Sequence, residues 1–370
     1  MQKYFTDIDK RNFGLDLFRV IAIIIVVFGH SFDFFPLFQN IDIVLVDGVD
    51  LFFVLSGFLI GKILLSTVTK NQGFNIRDLI QFLKRRLLRT LPNYYLFLII
   101  NILLVWFGVY DGLLNHNIAA YFMFLQNFYI PLDLLFWESW SLAVEEWFYL
   151  IFPVLLLVAF GVFGKRIKFK KLFVSVVLIL TPLFLRFLRF DNDLVGHFST
   201  VNWDLFFRKI VLLRLDSIAY GVLGSYVFLN FSHVFFKFKW ILFGIGIIGL
   251  VLLKFSNFSC ASLFYQTFFF SLQSIFILFL IPSFYKIKVK NRFVIKSVGI
   301  LSVVSYSTYL LHLPVLYVLR KSGILTNSSD FTQIVTLIFY LIVVLTLSIV
   351  IYQLWELPIT RLREKKFFGL

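Results

Sequence analysis

Three ionisable residues, Asp16, Arg19 and His30, interrupt the apolar stretch GLDLFRVIAIIIVVFGHSF at residues 14–32, and we consider Arg19 and His30 first. A helix of 3.6 residues per turn places them on one face, about 16 Å apart. An ionisable side chain deep in an apolar helix is costly and usually faces a cavity or a partner. The depth of His30 therefore indicates a functional site. The structural alternatives are a neutral His30 hydrogen-bonded to another helix and an Arg19 that snorkels to the membrane surface.

A second candidate site is the basic cluster FLKRRLLRTLPNYY at residues 82–95. Arg86 and Arg89 are three residues apart, so they share a helix face and can contact one anion. Arginine binds phosphate groups in a bidentate manner. Together with Arg19, the pair predicts a site for a phosphate-bearing ligand. Lys84 and Arg85 are sufficiently explained as cations that flank a transmembrane helix on the cytoplasmic side.

Three acidic residues lie near the predicted starts of apolar helices. Asp50, in DGVDLFFVLSGFLIGKIL, falls in a first turn, where the helix dipole favours an anion, so a capping role is sufficient. Glu145 and Glu146, in FWESWSLAVEEWFYLIFP, lie about one turn further inside their helix, where capping is a weaker explanation. We therefore expect these carboxylates to line an outward-facing polar pocket with His30.

The other histidines and the cysteine offer little chemistry. His312, in SYSTYLLHLP, lies at a predicted helix end and is interpreted as structural, while His116, His197 and His233 fall in predicted loops. No histidine pair has zinc-ligand spacing, and a single Cys260 leaves no cysteine metal cluster. The HExxH, GxSxG and Walker A patterns are also missing from the sequence. We therefore expect no metal.

The candidate site residues lie in or beside apolar segments that predict membrane helices. Of the 370 residues 60% are hydrophobic and 15% charged, with a mean hydropathy of +0.91, which is typical of a polytopic membrane protein. The sequence therefore predicts an all-α integral membrane protein with about ten transmembrane helices. The segments are 15–36, 49–66, 88–109, 142–162, 172–189, 208–230, 238–254, 262–283, 298–319 and 332–354.

The distribution of charge predicts the orientation. The net charge is +15, but the cations lie between apolar segments rather than on one soluble face, which argues against nucleic-acid binding. Alternate connections and the tail are rich in Lys and Arg, whereas 37–48 and 110–140 contain neither. Cationic loops stay in the cytoplasm, so we expect both termini there. The cationic stretches are 62–89, 165–171, 237–239, 286–296 and 361–366.

Six motifs in order along the chain resemble those of the acyltransferase family 3 membrane O-acyltransferases, which include bacterial O-antigen, exopolysaccharide and peptidoglycan O-acetyltransferases. They are Arg19-x10-His30, DLFFVLSGFLI, RRLLRTLPNYY with Arg86-x2-Arg89, WSLAVEEWFYLIFP, SYSTYLLHLPV and YQLWELPITRLRE. The resemblance implies a ten-helix domain that moves an acyl group, usually acetyl, from cytoplasmic acyl-CoA to a sugar hydroxyl outside. It also implies that His30 is essential and that Arg86 and Arg89 help bind the donor.

The resulting prediction is an acyl-CoA-dependent O-acyltransferase of the bacterial inner membrane. Its donor is acetyl-CoA, with a succinyl or longer donor left open, and its acceptor is a cell-surface polysaccharide such as lipopolysaccharide O-antigen. We expect His30 to act as general base and Arg19 to hold donor phosphates with the arginine pair. Asp50 or Glu145 would orient the imidazole or bind sugar hydroxyls.

Several alternatives stay open. Many family members carry a soluble SGNH-type domain after the helices; here we expect residues 1–370 to form one membrane domain that acylates its acceptor directly, rather than through a separate protein. The acceptor could instead be a small glycoside or a lipid-linked sugar. A membrane acyltransferase of unrelated fold, a sugar or drug permease and a receptor are the other classes. A permease would favour inverted repeats, and the sequence has no corresponding halves.

Overall fold

The computed structural model describes residues 11–39, 45–114, 117–132, 135–162, 167–190, 199–256, 258–324 and 329–362. Ten helices of 16 residues or more occur in these ranges, and they follow the ten predicted segments. They are α1 (Phe13–Phe34), α2 (Gly48–Lys70), α3 (Ile76–Trp106), α4 (Ser139–Val162), α5 (Ile167–Arg189), α6 (Leu215–Asn230), α7 (Lys239–Lys254), α8 (Phe269–Tyr285), α9 (Arg292–Lys321) and α10 (Asp330–Ile351). His116, His197, residues 165–166 and residues 363–366 lie outside the described ranges.

Eight of these helical segments are long and apolar enough to cross a membrane, which confirms the predicted all-α integral membrane fold. The two others, α6 and α7, have 16 residues each and span about 24 Å, less than the hydrocarbon thickness of about 30 Å. Helix α6 is shorter than its predicted segment because residues 208–213 complete a π turn and a 3-10 turn before it begins. The predicted location of both termini is not tested by this architecture.

Polar side chains set the first residue of several helices. Asn12 Oδ1 accepts a hydrogen bond from Leu15 N before α1, and Asp47 Oδ1 accepts one from Val49 N before α2. Asn75 and Asp78 form a capping box that starts α3 at residue 76, twelve residues before the predicted start. The basic cluster at 82–95 therefore lies on α3 itself, because hydropathy detects only the apolar part of that helix.

Helices α1 and α9 lie side by side and run parallel. Asp16, near the start of α1, accepts a hydrogen bond from Ser302 of α9, and His30, one turn before the end of α1, contacts His312 further along α9. This pairing brings together segments almost 300 residues apart in sequence. It joins the first and fifth motifs in one site.

Helices α2 and α6 approach so closely that their contact is made by glycine. A Cβ atom on Gly57 would overlap the Ile218 carbonyl, and one on Gly221 would overlap the Val54 carbonyl. Small residues let backbones pack at this distance in membrane helix pairs. The contact holds α2 in place as one wall of the cavity described next.

Candidate active site

A cavity of about 470 Å³ lies between α1, α2, α3, α4 and α9. Cations line one part of it, and the structure brings Arg19 together with Arg86 and Arg89 as predicted. Two cations that the sequence analysis did not select, Arg11 and Lys62, line the same cavity. Such a cluster of arginines suits a ligand with several phosphate groups.

Arg19 is held in place rather than free to reach a membrane surface. Its NH1 donates hydrogen bonds to Ser302 Oγ at 3.1 Å and to Asp16 Oδ1 at 3.5 Å. Asp16 also pairs with Arg11, whose NH2 lies 2.5 Å from Oδ1. One carboxylate thus serves two guanidinium groups, which leaves excess positive charge on the cavity wall.

Arg86 and Arg89 complete the cationic end. The Arg86 guanidinium lies over the rings of Phe82 and Tyr149, at 5.8 and 5.4 Å from their centroids. Among the residues that the structure describes, neither Arg86 nor Arg89 donates a hydrogen bond to a protein acceptor, so both donor groups are available to a ligand. Arg85 is exposed and bonds to Gln81 outside the cavity lining, in agreement with its interpretation as a flanking cation.

Glu145 lies on this cavity and not in an outward-facing pocket with His30. Its carboxylate accepts hydrogen bonds from Ser56 Oγ at 3.0 Å and from the Tyr149 hydroxyl at 2.8 Å. Helix α4 begins at Ser139, earlier than the predicted residue 142, so Glu145 lies about 9 Å along the helix from its start. The predicted grouping of Glu145 with His30 and Asp50 is therefore wrong, although Glu145 does line the cavity.

Asp50 belongs to a buried ion network on the other side of α2. Its carboxylate pairs with Arg214 and accepts a hydrogen bond from Gln273 Nε2 at 3.0 Å. Beside it, Arg186 NH2 and Asp216 Oδ2 form a fully buried salt bridge of 2.7 Å. The expectation that Asp50 orients His30 is wrong, because the carboxylate is already paired here. Sequence reasoning missed this network, since its members lie on four helices.

The hydrogen-bond partner of His30 is His312, which the sequence analysis interpreted as structural. His30 Nδ1 and His312 Nε2 are 2.8 Å apart, and the two rings stack with centroids 5.1 Å apart. His312 is fully buried, and its Nδ1 contacts the carbonyl oxygen of Tyr309. The SYSTYLLHLP motif contained this residue, but no local pattern in it indicates that α9 pairs with α1.

Tyr309 connects the cavity with the histidine pair. Its hydroxyl lies 2.7 Å from Ser141 Oγ and donates to the carbonyl oxygen of Glu138 at 2.9 Å. Both Tyr309 and Ser141 line the cavity, and the Tyr309 ring lies 5.6 Å from that of His312. Tyr309 therefore lies between the arginine-lined cavity, which it lines, and the histidine pair, which does not line that cavity.

Two buried ionisable groups, Glu138 and Lys209, lie outside the eight membrane-spanning segments. Burial raises the pKa of the Glu138 carboxyl to about 8, and its two oxygens have no hydrogen-bond partner among the described residues. Burial lowers the pKa of Lys209 to about 8, although Asp204 at 2.5 Å opposes this shift. The Lys209 ammonium also lies 3.4 Å from the centre of the Trp137 ring.

These features define a helical membrane protein in which a cationic cavity approaches a histidine pair, one ring of which is fully buried. The sequence of residues 12–353 matches the acyltransferase 3 family, whose description is "Acyltransferase domain". The match spans most of the chain, so this protein belongs to that family, as the six motifs predicted.

Relatives with curated names share about a third of the matched residues. The chain is 35% identical over 144 residues to "Peptidoglycan O-acetyltransferase OatA" of Listeria monocytogenes, which is 35% of this chain and 22% of that protein. It is 33% identical over 171 residues to "Putative peptidoglycan O-acetyltransferase YrhL" of Bacillus subtilis, covering 42% and 25%. It is 34% identical over 167 residues to "O-acetyltransferase OatA" of Staphylococcus aureus, covering 41% and 27%.

The chain therefore matches only about a quarter of the length of these relatives. No solved structure matches it.

Proposed function

We propose that this protein transfers an acyl group, which we take to be acetyl, from acyl-CoA to a hydroxyl group of a cell-surface glycan. The observation that carries the proposal is that Tyr309 lines the arginine-lined cavity and contacts His312, the hydrogen-bond partner of His30. A donor with several phosphate groups needs several cations, and O-acylation needs a base. Arg19, one of the cations, and His30, the base, lie about 16 Å apart along α1. The names of the matched relatives support the reaction class.

The arginines are suited to hold the donor. Arg86 and Arg89 offer free guanidinium groups, and Arg19 is fixed beside them by Asp16 and Ser302. Phosphates of acyl-CoA would bind at this end, and the thioester would extend past Glu145 towards Tyr309. The cavity is also partly apolar along Phe52 and Phe53, as expected for the path of an alkyl amide arm.

His30 is suited to act as general base. In the proposed reaction the acceptor O–H gives its proton to the ring, and the hydroxyl oxygen forms a bond to the acyl carbonyl carbon. The bond from that carbon to sulfur then breaks, and the departing thiolate takes the proton from the imidazolium. A positioned general base contributes about 10²–10⁴-fold to such a reaction.

We infer the acceptor and the orientation from the sequence and the relatives together. The cationic end would face the cytoplasm, where acyl-CoA is made, and the histidine pair would lie towards the outer face of a bacterial inner membrane. Peptidoglycan is the acceptor that the names of two relatives suggest. Lipopolysaccharide O-antigen, another surface polysaccharide or a lipid-linked sugar fits the same chemistry.

The test is the O-acetyl content of glycans purified from cells that express the wild-type chain, His30→Ala or no copy, measured by NMR. We expect ester signals with the wild type and none with His30→Ala. His233→Ala is the matched control, because His233 is exposed on the short helix Ser232–Lys237. Comparing peptidoglycan with extracted lipopolysaccharide identifies the acceptor. Identical spectra in all strains would contradict the proposal and favour the permease.

A further inference from the structure

The structure assigns His312 as a positioning residue that fixes which nitrogen of His30 carries the proton. This inference deepens the proposed function, in which His30 is the base, and it concerns a residue outside the arginine and histidine spacing that first indicated the site. It rests on a chain of two hydrogen bonds, from the backbone of α9 to one ring and from that ring to the next.

The first hydrogen bond determines the tautomer of His312. Its Nδ1 contacts the carbonyl oxygen of Tyr309, and a carbonyl oxygen can only accept. Nδ1 of His312 must therefore carry a proton. In a neutral imidazole the other nitrogen, Nε2, then has a free lone pair and acts as an acceptor.

The second hydrogen bond passes this constraint to His30. Since His312 Nε2 accepts, His30 Nδ1 must donate across the 2.8 Å contact between them. A neutral His30 is then left with an unprotonated Nε2. This nitrogen is the one that can take a proton from an acceptor hydroxyl, so the pair presents the base in its reactive tautomer.

The surroundings favour two neutral rings in the resting protein. His312 is fully buried, and neither ring is hydrogen-bonded to a carboxylate within the described part of the chain. Arg208 and Lys209 are the nearby charged groups on the His30 side, and both are cations. An additional proton on His312 would therefore be buried without a counter-ion, and one on His30 would lie near two cations. The Tyr309 carbonyl oxygen fixes the proton of His312 on Nδ1. The proton of a neutral His30 must then lie on its Nδ1 to satisfy the hydrogen bond between the two rings.

His312 is itself held rigidly. The Tyr340 hydroxyl of α10 donates to the His312 carbonyl oxygen at 3.3 Å, and the Tyr309 hydroxyl is fixed between Ser141 and the Glu138 carbonyl. The role of His312 therefore matches that of the third member of a nucleophile–base–orienter arrangement, with a neutral ring in place of the usual carboxylate. When His30 takes the acceptor proton, the same hydrogen bond stabilises its new positive charge.

The first experiment measures the tautomer of His30 directly. Protein with ¹⁵N-labelled histidine is reconstituted in lipid, and the His30 signals are identified by their loss in His30→Ala. We expect the ¹⁵N shifts of a ring with a proton on Nδ1 and none on Nε2. A proton on Nε2, or on both nitrogens, would overturn the inference. This readout is independent of whether the protein transfers an acyl group.

The second experiment compares His312→Leu, which removes the acceptor, with His312→Gln, whose amide oxygen can occupy the place of Nε2. We expect His312→Leu to lower kcat by about 10- to 10³-fold, less than the full 10²–10⁴-fold of a positioned general base, with the KM for acetyl-CoA unchanged. His312→Gln should recover at least about tenfold of that loss. Full kcat in folded His312→Leu, or an equal loss in both variants, would contradict a positioning role.

The two measurements separate the inference from the proposed function. If wild-type protein shows the expected tautomer but transfers no acetyl group to any glycan, the proton arrangement is correct and the acyltransferase proposal fails. If it transfers acetyl in a His30-dependent manner with the proton on Nε2, the proposed function stands and the role of His312 fails.

Discussion

At the scale of single residues, the site is an arrangement of cations at one end and an oriented base at the other. Arg19 is bonded to Ser302 and Asp16, whereas Arg86 and Arg89 are free to bind a ligand. This difference divides the donor site into a fixed cation and two available ones. The two types should therefore respond differently to substitution.

Arg86→Ala or Arg89→Ala should raise the KM for acetyl-CoA by about 10- to 100-fold, since a hydrogen bond to a charged group contributes about 1.5–3 kcal/mol. Steady-state kinetics with purified protein measures the effect. Arg85→Ala is the matched control, because Arg85 is a neighbouring arginine outside the cavity lining. A loss in Arg85→Ala as large as that in Arg89→Ala would place the phosphate site elsewhere.

Glu138 provides a pH test at the same scale. Burial raises the pKa of its carboxyl in the folded protein from 4.5 to about 8, so the folded state binds this proton more tightly than the unfolded state. Its contribution to stability is therefore complete below pH 4.5 and is lost as the pH rises through 8. Glu138→Gln should raise the unfolding temperature relative to wild type at pH 9 and leave it unchanged at pH 4. An equal difference at both pH values would contradict the shifted pKa.

At the scale of elements, α2 is positioned by two contacts with different physics. Its face with Gly57 and Val54 packs closely against Gly221 of α6, and Asp50 at its start pairs with Arg214 just before α6. The first contact tolerates no added volume. The second leaves a buried charge uncompensated when one partner is removed.

Gly221→Ala should destabilise the protein, because the new Cβ overlaps the Val54 carbonyl on the facing helix. The expected loss is about 1–3 kcal/mol, typical of overpacking in a tight core. Gly244→Ala on α7 is the control, since a Cβ there meets nothing within 4 Å. Thermal unfolding in detergent compares the two. If the two variants are equally stable, α2 and α6 do not make this close contact.

Asp50→Asn should cost about 3–5 kcal/mol of stability, because it leaves Arg214 buried without its counter-ion. The double variant Asp50→Leu with Arg214→Met removes both charges and should recover most of that loss. Protein from the double variant that folds and keeps the wild-type kcat would support a structural role for Asp50. A stable double variant without activity would indicate that Asp50 takes part in catalysis.

Most of the fold was predictable from the sequence, and the assembly of the site was not. Apolar length predicted the position of ten helical segments, and the eight that are long enough to cross a membrane match its thickness. The spacing of Arg86 and Arg89 correctly placed both on one face, since α-helix geometry is local. The pairing of His30 with His312 depends on contact between α1 and α9, and the pairing of Asp50 with Arg214 on contact between distant segments. Neither contact leaves a local pattern in the sequence, so the roles of His312 and Asp50 were misinterpreted.

At the scale of the whole molecule, binding of cytoplasmic acyl-CoA requires that the cationic end of the cavity face the cytoplasm. Helix α3 is long and apolar enough to cross a membrane, so we expect the loop at 71–75 and that at 107–114 to lie on opposite sides of it. In a Cys260→Ser background, cysteine at Gln72 should react with an impermeant thiol reagent only in inverted vesicles. Cysteine at Gly108 should react only in intact spheroplasts. The reverse pattern would contradict the predicted orientation.

The most direct test of the account is transfer by purified protein in lipid nanodiscs. Wild-type protein, His30→Ala and Arg89→Ala are supplied with ¹⁴C-acetyl-CoA and peptidoglycan fragments, and ester formation is measured against donor concentration. We expect label in the glycan with wild type and none with His30→Ala, although the donor still binds to that variant. Labelling by Arg89→Ala should recover at high donor concentration. Equal labelling by wild type and folded His30→Ala would contradict the proposed role of His30.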